Sequence, residues 1–413
     1  MKAHLKINQN NFNTSLNISG SKSISNRLLI FQALSDSHEL IENISTSNDT
    51  IVLQDAIKSN AVNIDVGDAG TAFRFLTSYF SVQTKTIILT GSSRMKKRPI
   101  KDLVDALRLL GADINYLEQD GYPPLKIIGS KIKGGKVSID TRVSSQFVSS
   151  LLMIAPILKN GIYLQLVGPV LSAPYIQMTL DLMRDYGIES SWKGNLIRVP
   201  SGEYISKSYH VEPDWSSISY LFELVALSDG GRICVENVDP ESIQGDQKIC
   251  ELFGYFGVGH SIKNRQLCIF KEEFFKMPSF LEFDCSYYPD LAQTIAVTAA
   301  GMGVHVKIKG LYNLPFKETN RLNAIKKELE KIGVQVNIED ENSLEIIPSD
   351  SPFPFELFFD SHGDHRMAMA LAPLALKIKD IWIEDVEVIK KSYKNFLEDL
   401  KRLSYEVNLF PNK

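Results

Sequence analysis

The stretch SGSKSISNRLLIF (residues 19–31) sets small polar residues and a lysine directly ahead of an apolar run. Small hydroxylated residues before a hydrophobic segment are the mark of a helix start, where a side-chain oxygen caps free backbone N–H groups. The same design recurs at GDAGTAFRFLTSYF (67–80), RVSSQFVSSLLMIA (142–155), PDWSSISYLFELVA (213–226), YYPDLAQTIAVTAA (287–300) and GDHRMAMALAPLAL (363–376). After a first interval of roughly 50 residues these starts recur every 70–75 or so, which is long for a solenoid and implies large repeated units.

Between the starts runs a second grammar of helix, glycine and strand. DLVDALRLLGADINYL (102–117), YIQMTLDLMRDYGIESSW (175–192), KICELFGYFGVGHSI (248–262) and ETNRLNAIKKELEKIGVQVNI (318–338) all follow it, with Gly111, Gly187 and Gly333 as stops in three of them. IYLQLVG (162–168), GRICVENV (231–238) and VHVKIKGLYN (304–313) read as strands. Each repeat thus holds two helices and about four strands, in an α/β (α+β) chain whose repeats fill two pseudo-threefold domains. The stretch SNAVNIDVGDAG (59–70) leaves too little room for a full strand set, so the first repeat is expected to be trimmed.

Composition bounds the rest. A chain of 413 residues is too long for one core, and 44% hydrophobic with 23% charged residues is globular. A net charge of −4 argues against general nucleic-acid binding, so any anion site must be a local cation cluster. The N-terminus MKAHLKINQN has no apolar signal region, and no apolar run is long enough to cross a membrane. Cys234, Cys250, Cys268 and Cys285 lack metal-ligand spacing and read as reduced thiols of a cytoplasmic protein.

Several helix starts carry cations. A helix N-terminus attracts anions by itself, and Lys22, Arg27, Arg74 and Arg366 strengthen that case. The opening stretch is not a Walker loop, because Ser21 stands where glycine must precede the lysine, and no dinucleotide-type glycine pattern is present. GSSRMKKRP (91–99) reads either as a solvated basic loop or as an anion clamp. Lys317 and Arg321 with Glu318 form either a surface i,i+4 network or an acid–base carboxylate among cations. Asp290, after Pro289, is either a helix cap or a base. SHGDHRMAMA (361–370) has too few ligand groups for a metal and reads as an anion-contacting Arg366 beside an Asp364–His365 pair.

The ordered set GSKSISNR, DAGTAFR, RMKKRP, YLEQDGYPPLKIIG, VSSQF, SIQGDQ, YYPDLAQTIA, KETNR and DHRMAMA resembles the 5-enolpyruvylshikimate-3-phosphate synthase family over nearly the whole chain. The resemblance implies an inside-out α/β barrel in each of two domains, residues 20–211 and residues 1–19 with 212–413. Each domain has three βαβαββ units, with the active site in the cleft between them, and closure on binding is expected. It implies transfer of the enolpyruvyl group of phosphoenolpyruvate (PEP) to the 5-hydroxyl of shikimate 3-phosphate through a tetrahedral intermediate. This is a step toward chorismate and aromatic amino acids, catalysed by a monomer without cofactor or metal. Two small anionic substrates are the implied partners, with no nucleic acid and no membrane.

By the same resemblance, Lys22, Ser23, Arg27, Ser144, Ser145, Gln146, Ser172, Tyr175, Asn313 and Lys317 bind shikimate 3-phosphate. Lys22, Gly70, Arg94, Gln146, Arg321, Arg366 and Lys391 bind PEP. Asp290 accepts the hydroxyl proton, Glu318 protonates PEP, and Lys22 assists. Asp68, Thr71, Arg74, Asp364 and His365 support the walls. Asp68 and Phe75 depart from the family's usual Asn and Pro. Asn320 stands for a frequent Asp, which is expected to loosen Arg321, and Lys394 stands for a Pro near Lys391. A UDP-N-acetylglucosamine enolpyruvyl transferase is the alternative within the fold, but GSSRMKKRP lacks the reactive cysteine typical of it. A non-catalytic anion binder gives no reason for placing Asp290 and Glu318 among the cations.

Overall fold

The computed structural model describes residues 1–142 and 144–411. Val143, the first residue of VSSQF, lies outside them. The chain forms two compact bodies, one of Gly20–Val211 and one of Met1–Ser19 with Glu212–Lys413, called here the 20–211 domain and the terminal domain.

The helices are α1 (Lys22–Leu34), α2 (Asn48–Lys58), α3 (Gly70–Ser81), α4 (Lys101–Leu109), α5 (Ser145–Ile154), α6 (Ala173–Asp185), α7 (Trp215–Leu227), α8 (Ile249–Gly254), α9 (Ala292–Met302), α10 (Arg321–Glu330), α11 (His365–Leu371) and α12 (Phe396–Arg402). Every helix start read from the small-polar pattern begins one of α1, α3, α5, α7, α9 and α11. Ser21, Ser144, Asp214 and Asp364 cap four of them through side-chain oxygens. The glycine stops Gly111, Gly187 and Gly333 all have positive φ, and so does Gly257 beyond α8, the conformation that ends a helix without a Cβ clash.

Among the described residues, five sheets have four strands and one has two. The four-stranded sheets share one plan: a parallel pair followed by two antiparallel neighbours. In residues 63–128, strands Asn63–Asp65 and Thr86–Thr90 run parallel with α3 between them. Then α4 leads to the hairpin Asp113–Tyr116 and Leu125–Ile128. This is the βαβαββ unit. The two-stranded sheet, Tyr209–His210 beside Ile41–Glu42, keeps only the parallel pair. Its hairpin is missing because α2 runs within a few residues into the next sheet, as the short first interval implied. The N-terminal strand Lys2–Ile7 completes the last sheet by pairing with Asp380–Glu384 and Tyr405–Phe410.

The helices opened by the recurring starts lie innermost. In α9, residues Ala292–Gly301 are all buried, as are all residues of α11. A helix buried all round must pack closely on several neighbours, and small residues permit it. At Gly301 an added Cβ would lie 2.7 Å from Leu227 of α7 and 3.1 Å from Leu374, so the missing side chain sets that approach.

The cysteine reading is corrected here. Cys234 and Cys268 form a disulfide, directly opposite each other on strands Gly230–Val235 and Gln266–Lys271, with Cα atoms 4.1 Å apart. Register, which spacing along the chain does not reveal, brings them together. Cys250 and Cys285 are free thiols, and burial pushes the Cys250 thiol up to about 12. No helix among the described residues is long and apolar enough to cross a membrane.

One buried acid makes stability fall with pH. Burial raises the Glu212 carboxyl to about 7, outweighing its hydrogen bonds with Gln244 and Ser242. The unfolded chain releases this proton near the ordinary value, so between those values folding costs progressively more. Glu212→Gln is therefore expected to stabilise the protein at pH 8 by an amount on the order of 3 kcal/mol and to change little at pH 4. Urea melts at the two pH values measure this; equal effects at both would contradict it.

Candidate active site

In the terminal domain the site is built from Asp290 outward. Asp290 sits on a 3-10 turn, Pro289–Leu291, that runs into α9, and it does not cap that helix. Its Oδ1 accepts from Arg321 Nη1 at 3.0 Å and from Lys317 Nζ at 3.4 Å, and its Oδ2 accepts from Arg366 Nη2 at 2.8 Å. Burial alone would raise this carboxyl. The charges of Arg366, Lys317 and Arg321 overcome that and hold it well below the ordinary carboxylate range. Burial in turn lowers the Lys317 ammonium, against the pull of Asp290.

Arg321 is the hub. Only 1% of its side chain is exposed. Its Nε and Nη2 hold Asp364 at 2.8 and 3.3 Å, and Nη2 also donates to Glu318 Oε2 at 3.0 Å. Asp364 in turn caps α11 by accepting from the Arg366 N–H at 2.9 Å. His365 Nδ1 lies 3.6 Å from Asp364. Asn313, also buried, begins the turn Leu314–Phe316 that precedes Lys317. Asn320 caps α10 by accepting from Asn323 N–H at 3.2 Å. The expected loosening of Arg321 is corrected: its three carboxylate partners hold it, and the Asn320 side chain is occupied with the cap.

Glu318 Oε1 accepts from Lys391 Nζ at 2.8 Å, whereas Lys390 pairs with Glu387 at the surface. Lys391, not Lys390, therefore belongs to the cluster, and Lys394 does not displace it. Lys391→Ala is expected to weaken the binding of a phosphorylated, carboxylated anion at this cluster at least tenfold, about the loss of one charge-assisted contact. Lys390→Ala should stay within twofold of wild type. Calorimetric titration of both variants with such an anion decides, and equal effects would contradict the assignment.

The 20–211 domain gathers a second set. Lys22 opens α1 and pairs with the buried Asp49 at 3.6 Å. Ser144 caps α5 by accepting from the Gln146 N–H, Ser145 follows it, and Gln146 Nε2 donates to Thr71 Oγ1 of α3 at 3.0 Å. Ser172 opens α6 with φ 55°, and the Tyr175 N–H donates back to its carbonyl. Asp68 accepts from the Ser92 hydroxyl. Arg27 faces inward rather than outward. Its guanidinium donates to the carbonyls of Ser23 and Tyr175, to Thr179 Oγ1 and to Ser149 Oγ, and burial lowers it to about 10. It holds Ser23 and Tyr175 in place.

At the start of α3 an added Cβ on Gly70 would lie 2.5 Å from Arg98 Nη1 and 2.7 Å from Arg74 Nη1. The basic-loop cation that reaches Gly70 is thus Arg98, a residue the sequence reading passed over for Arg94. Its position directly before Pro99 was the available signal. Arg74 Nη1 also donates to the Gly70 carbonyl at 2.8 Å.

Three carboxylates, Asp290, Glu318 and Asp364, locked among four cations at the helix starts of a repeated βαβαββ fold define an enzyme class that does proton chemistry on anionic substrates. The model of the EPSP synthase (3-phosphoshikimate 1-carboxyvinyltransferase) family matches residues 51–400, and the chain belongs to that family. It is 38% identical over 402 residues to the 3-phosphoshikimate 1-carboxyvinyltransferase of Bacteroides fragilis (strain YCH46), covering 95% of this chain and 96% of that one. It is 34% identical to the enzyme of the same name from Mannheimia haemolytica, over 94% of this chain and 96% of that one. The fold matches the EPSP synthase structure from Acinetobacter baumannii with a TM-score of 0.75 at 20% identity, over 99% of this chain and 100% of that one.

Proposed function

We propose that this chain transfers the enolpyruvyl group of PEP to the 5-hydroxyl of shikimate 3-phosphate and releases phosphate. The observation that carries this is the Asp290–Arg321–Glu318 cluster, with Arg366 and Lys391 on its outer oxygens, in a member of the EPSP synthase family.

The chemistry asks for these residue types. The 5-hydroxyl oxygen bonds to C2 of PEP while its proton passes to Asp290. C3 of PEP takes a proton from Glu318, giving a tetrahedral adduct. The C2–O bond to phosphate then breaks, and a C3 proton returns to a carboxylate as the new enol ether forms. Lys22, Gly70, Gln146, Arg321, Arg366 and Lys391, with Arg98 or Arg94 from the basic loop, hold PEP and its departing phosphate. Ser144, Ser145 and Ser172 present hydroxyls and helix N–H groups to the 3-phosphate. Ser23, Tyr175, Asn313 and Lys317 line the shikimate, with Arg27 beneath them. Asp68, Thr71, Arg74, Asp364 and His365 keep these groups in position.

A resting Asp290 held by three cations is a poor base. PEP, arriving with its own negative charge, competes for Arg366 and Arg321 and so strengthens Asp290 when the acceptor is present. Phosphate release from PEP, measured with shikimate 3-phosphate and separately with UDP-N-acetylglucosamine, tests the reading. Release with the first acceptor alone is expected. Release with the second alone would transfer the protein to the other enolpyruvyl transferase, and release with neither would remove the proposed activity.

A further inference from the structure

Asp246 lies on the turn Gly245–Lys248, between strand Gly230–Val235 and α8, and is buried. It belongs to SIQGDQ, a stretch to which the reaction above gives no task. The Ser216 hydroxyl, at the start of α7, donates to Asp246 Oδ2 at 2.5 Å and accepts from Arg366 Nη2 at 3.3 Å. The same Nη2 donates to Asp290 Oδ2 at 2.8 Å. A chain of hydrogen bonds therefore joins Asp290, Arg366, Ser216 and Asp246, with Arg366 donating to Asp290 and to Ser216 and Ser216 donating on to Asp246, and it links the starts of α7 and α11 with the turn before α9. We propose that Asp246 is a positioning residue for the transfer: through Ser216 it draws on Arg366 and so sets how strongly Asp290 holds the hydroxyl proton. The proposal rests on the role given to Asp290 above.

The electrostatics support the geometry. The charged and titratable groups around Asp246 are Asp290 before α9, Arg366 at the start of α11, Asp214 at the start of α7, and the Cys285 thiol. Burial raises the Asp246 carboxyl to about 6, with Asp290 adding to the rise and Arg366 and Ser216 opposing it. Above that pH a second negative charge shares Arg366, which makes Asp290 a stronger base. Below it Asp246 is neutral and that second negative charge is gone, which leaves Asp290 more fully stabilised by Arg366.

The test compares the full-length wild type with Asp246→Asn, Ser216→Ala and Asp246→Glu. Wild-type kcat should fall below about pH 6, a limb that follows one titrating group. Asp246→Asn should lower kcat at pH 7.5 about tenfold, leave KM for PEP unraised, and lose that limb. Ser216→Ala should move the limb in the same direction, and Asp246→Glu should restore it. Calorimetry of PEP binding in two buffers gives a readout independent of turnover. PEP drawing on Arg366 should make the wild type take up protons near neutral pH, and Asp246→Asn should take up fewer. A limb and proton uptake unchanged in both Asp246→Asn and Ser216→Ala would overturn the proposal. If Asp246→Asn fails to fold, Ser216→Ala decides alone. Missing phosphate release by the wild type would defeat the functional reading, while the binding comparison would still judge Asp246.

Discussion

Asp290→Asn and Glu318→Gln are each expected to lower kcat by about 10²–10⁴, the usual contribution of a positioned acid or base. The accompanying KM separates catalysis from architecture. Asp290 engages Arg366, Arg321 and Lys317 in the resting protein, and Glu318 engages Lys391 and Arg321. Neutralising either carboxylate leaves these cations freer for PEP, so KM for PEP should stay level or fall. A loss confined to kcat is what removal of a group acting in the transition state produces. Steady-state kinetics with both substrates varied measures it. A large rise in KM with kcat preserved would mean that the carboxylates serve binding only.

The second large effect is on stability. Arg321→Ala strips Asp290, Glu318 and Asp364 of their common partner inside the protein. Breaking a buried ion network by removing one member costs about 3–5 kcal/mol. Lysine should not rescue it, because the grip on Asp364 uses two guanidinium nitrogens. The sign with pH follows from linkage. Asp290, depressed in the folded wild type, contributes stability that is fully present above the ordinary Asp value and is lost as pH falls through its folded value. In Arg321→Ala the carboxyl titrates higher, so the variant's deficit should be largest near neutral pH and shrink in acid. Urea melts across that range test this, and a deficit under 1 kcal/mol at pH 7 would sink it.

Much of the fold was legible because helix starts and stops are local. Ser21, Ser144, Asp214 and Asp364 cap the helices they precede, and Gly111, Gly187 and Gly333 stop theirs. The trimmed first repeat followed from interval length alone. Features that depend on register or on distant partners were not legible. Cys234 meets Cys268 only because two strands pair in one register. Arg98 is distinguished from Arg94 by where a short turn aims it, toward Gly70. Asp246 gains meaning only from Ser216 and Arg366, which lie far from it in sequence. Arg27 reads as a ligand cation by its charge, yet four of its five N–H groups point to Ser23, Ser149, Tyr175 and Thr179. Asn320 reads as a loss for Arg321 until three carboxylates are found holding it.

The central claim is that a carboxylic acid among these cations protonates the methylene carbon of PEP and that a carboxylate later takes a proton back. Mass spectrometry of the product formed in D₂O tests it most directly. Deuterium should enter the enolpyruvyl methylene during turnover by the wild-type protein, and Glu318→Gln should slow deuterium entry in step with product formation. Product formed at the wild-type rate with no deuterium in that group would contradict the account.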